Sequence, residues 1–403
     1  MESNQFLLIK SGTIVDPHNN QPRECEKKDN RGEEEILIAA DTITARGKQM
    51  NCGNLPGLKI IEAEGKIILP GFIDSHVHIT GGGGEDGFAT RTPPLRLEQA
   101  IKGGVTTLVG CLGTDASTRN MSDLLAKARG LQEEGISAYI YTGSYQFPVR
   151  TLTGAIDDDI VFINEILGLG EVAIADHRSS HPGLQEFIRA ASHARRGGML
   201  AGKNGIVNIH MGGGKGGFEF LEKAVENSEI PRQQFLPTHV NRSEKVLEAG
   251  LKYARKGGWL DFTTSGKKPS DDKIGGKKIL QAARQSGVSL DRLTFSSDAQ
   301  GSLPEFDSSG DFQGLTVGKV DSLFAQLRAA VLEEQFQLSR VLPLITTNPA
   351  RILGIADQKG QVKPGFDADL VLVDEKNLEI TGVIARGKIM MREGEVLEKG
   401  TFS

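Results

Sequence analysis

From about residue 66 to residue 300 the sequence repeats one theme: an apolar, β-branched run, a polar or glycine-rich loop, then a segment with helical periodicity. This alternation restricts the chain to a parallel β/α layout, because a helix must carry it back before the next strand can run in the same direction. The candidate strands are KIILPGFIDSHVHI (66–79), TTLVGCLGTD (106–115), SAYIYTGSY (137–145), EVAIADHR (171–178), IVNIHMG (206–212), FLPTHVN (235–241), LDFTTS (260–265) and LTFSSDA (293–299). Between them lie patterns such as RSEKVLEAGLKYARKGG, which opens on a serine cap and closes on glycine as helices do. Eight such strands predict a (β/α)8 barrel of the TIM type over 66–353.

Residues 1–65 do not share this pattern. FLLIKSGTIVD and EEEILIAADTI are short strand-like runs separated by a charged stretch from His18 to Glu35, which reads as a solvated loop. Residues 354–403 return to that style in DADLVLVDEKNLEITGVIARGKIMMREGEVL, a succession of strands and hairpins. We expect one small β-sandwich domain built from both ends of the chain, 1–65 with 354–403, flanking the barrel.

Composition narrows the partners. Lys+Arg at 47 against Asp+Glu at 52 leaves a net charge of −5 and offers no global attraction to nucleic acid or anionic lipid. No run of about 18 apolar residues occurs and no signal-peptide pattern opens the chain, so neither membrane spanning nor secretion is expected. Cys25, Cys52 and Cys111 are an odd number without C-x-x-C spacing, which suggests no disulfide framework or thiolate zinc knot and fits a cytoplasmic location.

The chemistry collects at the strand ends. His76 and His78 are two apart, so strand alternation puts both imidazoles on one face. His210 ends the fifth strand, His239 the sixth and Asp298 the eighth, all on the rim where barrel enzymes place their catalytic groups. With only 8 histidines in the chain, four at such positions argue against a scatter of surface or core histidines.

PGFIDSHVH, His210, His239 and Asp298, together with a small β domain from both termini, resemble the binuclear amidohydrolase superfamily. GGGGE (81–85), LGTDAST (112–118), GSY (143–145), ADHRSS (175–180), PTHVNR (237–242) and SSDAQGS (296–302) resemble its isoaspartyl dipeptidase family across essentially the whole chain. The resemblance implies two divalent metals, zinc by donor type. His76 and His78 would hold the first with Asp298, and His210 and His239 the second. It implies hydrolysis of the isopeptide bond of β-aspartyl dipeptides by a metal-bridging hydroxide, with Asp298 as proton shuttle and Tyr145 hydrogen-bonding the tetrahedral intermediate. Glu85 would pair with the substrate ammonium, and Arg178 and Arg242 would take carboxylates, which one each being open. Gly83, Thr114 and Ser302 match further contact positions, for which an ordinary loop role is the competing reading. A homo-oligomer is implied as well.

One position departs from the family pattern. Where the family bridges its metals with a carbamylated lysine, this chain has Glu171. Glutamate supplies a bridging carboxylate without added CO2 but is several bonds shorter, so backbone or metals must come closer. The glycines of GLG (168–170) tolerate such a shift. A salt-bridged structural Glu171 with one bound metal is the competing reading, and Lys203, in the loop before the fifth strand, reads as structural. Gly82, Gly84 and Gly87 satisfy G-x-G-x-x-G but are followed by FATRTPPLR, where a dinucleotide fold requires a helix. The alternative functions are a cyclic amidohydrolase of the dihydroorotase or hydantoinase kind and a non-catalytic scaffold.

Overall fold

The computed structural model describes residues 6–17, 34–53, 55–266, 274–306 and 312–402. His18, Cys25 and the charged stretch as far as residue 33 lie outside the described residues.

Eight parallel strands appear where the repeated theme placed them: Phe72–Val77, Val105–Gly110, Ser137–Thr142, Ile166–Ile174, Ile206–Met211, Phe235–Thr238, Leu260–Thr263 and Leu293–Ser296. The first six form one sheet in chain order and the last two a second parallel pair. The sheet curls until the eighth strand meets the first through a parallel bridge between Val77 and Ala299. His78 N donates to Ala299 O at 2.9 Å and Asp298 N to His76 O at 3.1 Å, so the closure itself sets histidines beside the aspartate. Between the sixth and seventh strands the backbone ladder is interrupted. There the Asn241 carboxamide donates to Thr263 O and accepts from Thr263 N, and Thr238 Oγ1 donates to Asp261 Oδ2 at 2.6 Å.

The connecting helices bury one stripe each. In Glu244–Arg255, Ser243 caps the start by accepting from Val246 N, and Val246, Leu247, Leu251 and Ala254 turn inward. That spacing covers the sheet and leaves Lys252 and Arg255 near the end with the negative pole of the helix.

Two boundaries differ from the sequence reading. The run 66–79 is two strands: Lys66–Pro70 pairs antiparallel with Leu370–Asp374, and the chain then turns through Gly71 into the first barrel strand. The fourth strand starts at Ile166, five residues before the expected Glu171, because ILGLG continues the ladder despite its glycines.

Both ends of the chain meet in one nine-stranded sheet. Phe6–Ile14 changes partners along its length: Phe6–Ile9 pairs with the strands Glu34–Ala39 and Leu58–Glu62, and Thr13–Ile14 with Lys66–Pro70. A separate buried cluster that includes Leu7, Ile9, Ile36, Ile38, Ile68, Leu370 and Ile384 joins N- and C-terminal strands, at roughly 1.5–3 kcal/mol per fully buried aliphatic side chain.

Candidate metal centre and substrate cleft

His76, in the first strand, is fully buried and His78, just beyond it, is 6% exposed. Asn208 Oδ1 lies 3.1 Å from His76 Nδ1, an acceptor that keeps the proton on that nitrogen and leaves Nε2 bare toward the centre. Around His76 Nε2 lie Glu171 Oε2 at 3.4 Å and Asp298 Oδ1 at 3.7 Å, and His78 Nε2 lies 3.1 Å from the same Asp298 oxygen. His210 Nδ1 and His239 Nε2 approach the other Glu171 oxygen, Oε1, at 2.8 and 2.9 Å. Glu171 therefore stands between two sets of imidazoles with one oxygen toward each.

Glu171 Oε2 and Asp298 Oδ1 are buried oxygens without a hydrogen bond. Orphaned carboxylate oxygens facing bare imidazole nitrogens are costly unless a cation sits among them. Three overlapping donor groups have the spacing to hold one: His76, His78, Cys111 and Glu171; His76, His239 and Asp298; Glu171, His210 and His239. The donor set fits divalent metal of the zinc type.

The electrostatics follow from this crowding. Burial would raise Glu171, yet His76 and His210 hold its carboxyl well below the ordinary range. For Asp298 the same opposition, chiefly from the neighbouring His78 imidazole, brings the carboxyl down to about 2. Burial dominates at His239 and lowers it to about 4, leaving a neutral imidazole able to bind metal.

The backbone explains how a short glutamate reaches the centre. Between Leu169 and Val172 the fourth strand carries one residue more than the fifth, a bulge at Gly170–Glu171. A Cβ on Gly168 would lie 2.1 Å from Ile206 O, so only glycine lets the two strands approach this closely.

Above the centre opens a cavity of about 310 Å³. Gly83, Glu85, Thr114, Tyr145, Arg178, Arg242 and Ser302 line it together with His78, His210, His239 and Asp298, while His76 and Glu171 lie beneath. Glu85 Oε1 accepts from Thr114 Oγ1 at 2.9 Å and from Arg178 Nη1 at 3.2 Å. Tyr145 donates to His210 Nδ1 at 2.6 Å, and burial raises its hydroxyl pKa well above the ordinary value, so it stays a donor. Arg242 donates to Met211 O through Nε and brings Nη2 within 3.1 Å of His210 Nε2. Gly83 has φ +67°, and a Cβ there would collide with Thr90 O and Ser302 Cβ, which accounts for glycine at this point of the rim.

Arg178 differs from the expected free carboxylate fork. Its Nε and Nη2 already pair with Asp176 at 2.9 and 3.0 Å, and its Nη1, on the cavity side, meets Glu85, because the acid two residues away is its nearest partner. Asp176 is one of four residues the sequence reading missed, and its Oδ2 also accepts from His210 Nε2 at 3.1 Å, turning Nδ1 toward the centre. Asn208 orients His76, Cys111 lies beside both histidines of the pair, and buried Arg119 ties the Gly82 and Thr80 carbonyls of the rim loop. The N-x-H alternation of IVNIHMG could have signalled Asn208, which shares a face with His210. Lys203 donates to Ile160, Ile163 and Ile166 carbonyls at 2.8 to 2.9 Å, away from the centre.

The amidohydrolase family profile matches residues 67–390, and the chain belongs to that metal-dependent family, whose fold is a TIM barrel. Within it, the chain is 44% identical to the β-aspartyl dipeptidase of Fervidobacterium islandicum AW-1 solved with a β-Asp-Leu dipeptide, over 98% of both chains with a TM-score of 0.88. A D-hydantoinase from Thermus sp. shares the fold at 18% identity, TM-score 0.63, over 98% of this chain and 97% of that one. An adenine deaminase of Bacillus licheniformis is 25% identical over 95% of this chain, which spans 57% of that relative's length. No helix among the described residues is long and apolar enough to cross a membrane.

Proposed function

We propose that the chain is a metal-dependent dipeptidase that hydrolyses the isopeptide bond of β-aspartyl dipeptides. The observation that carries the reading is one cavity with the imidazole–carboxylate centre at its floor and fixed charges of both signs, Glu85 with Arg178 and Arg242, at its rim. A dipeptide with an ammonium and carboxylates around a side-chain amide needs that pairing. A ring imide offers no ammonium to Glu85, which weighs against a hydantoinase-like substrate. The likeness to a dipeptidase solved with β-Asp-Leu supports the same class.

His76, His78 and Asp298 would hold one divalent ion and His210 and His239 a second, with Glu171 between them, zinc by donor type. Bound there, such ions supply a polarised amide carbonyl and a water acidified toward neutrality. The chain's own groups do the rest. Asp298, at the cavity floor, accepts the proton of the attacking water and passes it to the leaving amine. Tyr145 donates its hydroxyl to the oxygen that gains charge. Glu85 pairs with the ammonium, Arg178 and Arg242 with carboxylate, and Gly83, Thr114 and Ser302 complete the contacts. We also assign the nine-stranded sheet to a small β-sandwich unit, supported by the partner change along Phe6–Ile14, and the whole to a cytoplasmic homo-oligomer.

The test is a substrate panel with metal analysis. We expect turnover of β-Asp-Leu, little of α-Asp-Leu, N-acetyl-β-Asp-Leu or hydantoin, and two metals per chain. Equal rates on the acetylated dipeptide would remove the role of Glu85. Full activity with one metal would refute the two-metal reading.

A further inference from the structure

Cys111 follows the second barrel strand and is fully buried. The bland role for such a residue is that of a small apolar filler. Its sulfur faces the wrong way for that role: Sγ lies 3.5 Å from His76 Nε2 and 3.8 Å from His78 Nδ1, on the side of the centre where Glu171 Oε2 has no hydrogen bond. Donor atoms of His76, His78, Cys111 and Glu171 all fall within 4.8 Å of one another.

The spacing is that of ligands around one ion. With Zn–N near 2.0–2.1 Å and Zn–S near 2.3 Å, two donors at the tetrahedral angle stand about 3.5 Å apart for nitrogen and sulfur and about 3.4 Å for nitrogen and oxygen. The distances from His76 Nε2 are 3.5 Å to Cys111 Sγ and 3.4 Å to Glu171 Oε2. The buried oxygen without a partner and the sulfur thus each stand at ligand spacing from the same nitrogen.

We propose that Cys111 is a thiolate ligand of the ion held by His76 and His78. This rests on the metal centre proposed above and adds a donor to it. Binding forms a sulfur–metal bond and releases the thiol proton to solvent. A soft ligand biases that position toward zinc, cobalt or cadmium and against magnesium or manganese. It also adds a negative charge beside the oxygens of Glu171 and Asp298, so the first ion is held in a more electron-rich site than the second.

The full chain, stripped with a chelator and titrated with cobalt(II) alone, tests this without recourse to activity. We expect visible d–d bands together with a near-ultraviolet sulfur-to-cobalt charge-transfer band. Cys111→Ser and Cys111→Ala should lose the charge-transfer band, keep d–d bands, and hold the more tightly bound cobalt at least ~10-fold less tightly in chelator competition. Cys52→Ser should keep both. Circular dichroism of the two Cys111 variants separates ligand loss from misfolding, and either folded variant suffices. Wild-type protein with d–d bands and no charge-transfer band overturns the thiolate ligand and leaves the metal centre standing; it would make Cys111 an acceptor for the His78 ring N–H. A band that survives in Cys111→Ala also overturns it. Failure of the wild type to bind cobalt at all overturns both readings.

Discussion

Asp298 and Glu171 are two carboxylates in different surroundings, and the proposed mechanism gives them different tasks. Asp298 lines the cavity, with Oδ1 bare beside His76 and His78, so it can exchange a proton with substrate. Asp298→Asn removes that exchange while preserving shape, and we expect kcat to fall by about 10²–10⁴-fold or more with KM changing little. Steady-state kinetics on β-Asp-Leu decide it, and a kcat near wild type would reduce Asp298 to a ligand. Glu171 lies beneath the cavity with an oxygen toward each imidazole set, and its carboxylate is permanent where a lysine carbamate must be made from CO2. Metal-stripped protein should therefore regain full activity on zinc alone with bicarbonate rigorously excluded, matching a bicarbonate-supplemented sample. Glu171→Ala should lose at least one metal in elemental analysis, since two cations are left without their shared anion. A bicarbonate requirement, or an alanine variant with two tightly held metals, would show that Glu171 is no bridge.

The fourth strand shows what was legible in the chain and what was not. Strand alternation at His76 and His78 and the polar ends of the fifth, sixth and eighth strands could be read directly, because residue type and period are sequence properties. The start of that strand at Ile166 was hidden, since glycines at 168 and 170 weaken a strand by propensity and belong there only because a neighbouring backbone comes close. The break at Gly71 was hidden similarly: continuous apolar character does not say which of two sheets a residue joins. Asp176 and Cys111 were missed because their histidine partners come from other strands, and no local pattern marks a side chain as facing a histidine about 30 residues away. Gly168→Ala tests the close approach. Its Cβ would meet backbone at Ile206, which cannot rotate aside, so we expect roughly 1–3 kcal/mol of destabilisation, read as a lower melting temperature, together with weaker metal retention as Glu171 is displaced. An alanine variant of unchanged stability would mean the two strands are not held at this distance.

Over the whole molecule the terminal sheet and the barrel are joined at a buried charge cluster at a distance from the metal centre. Lys359, 3% exposed, binds Asp369 at 2.7 Å and also Asp367. Asp369 in turn accepts from Arg386 N at 2.8 Å and faces Thr107 of the second barrel strand, and its carbonyl takes Gly71 N where the chain passes between the two parts. Burial would lower the Lys359 ammonium, but Asp369 and Asp367 outweigh it and hold the pKa above the ordinary lysine value. A raised folded-state pKa stabilises fully below the unfolded value near 10.5, and the contribution is lost only as pH climbs through the higher folded value. Lys359→Met leaves Asp369 buried without its cation and should cost about 3–5 kcal/mol at neutral pH. The deficit in melting temperature should hold constant from pH 6 to about 9 and shrink above about 10.5, where the unfolded wild-type chain gives up its lysine proton while the folded form still holds it. Because none of these groups lines the cavity, kcat on β-Asp-Leu below the melting transition should stay near wild type. A melting temperature equal to wild type at pH 7 would show that the cluster does not hold the two parts together, and a large kcat loss in folded variant would show that it reaches the site.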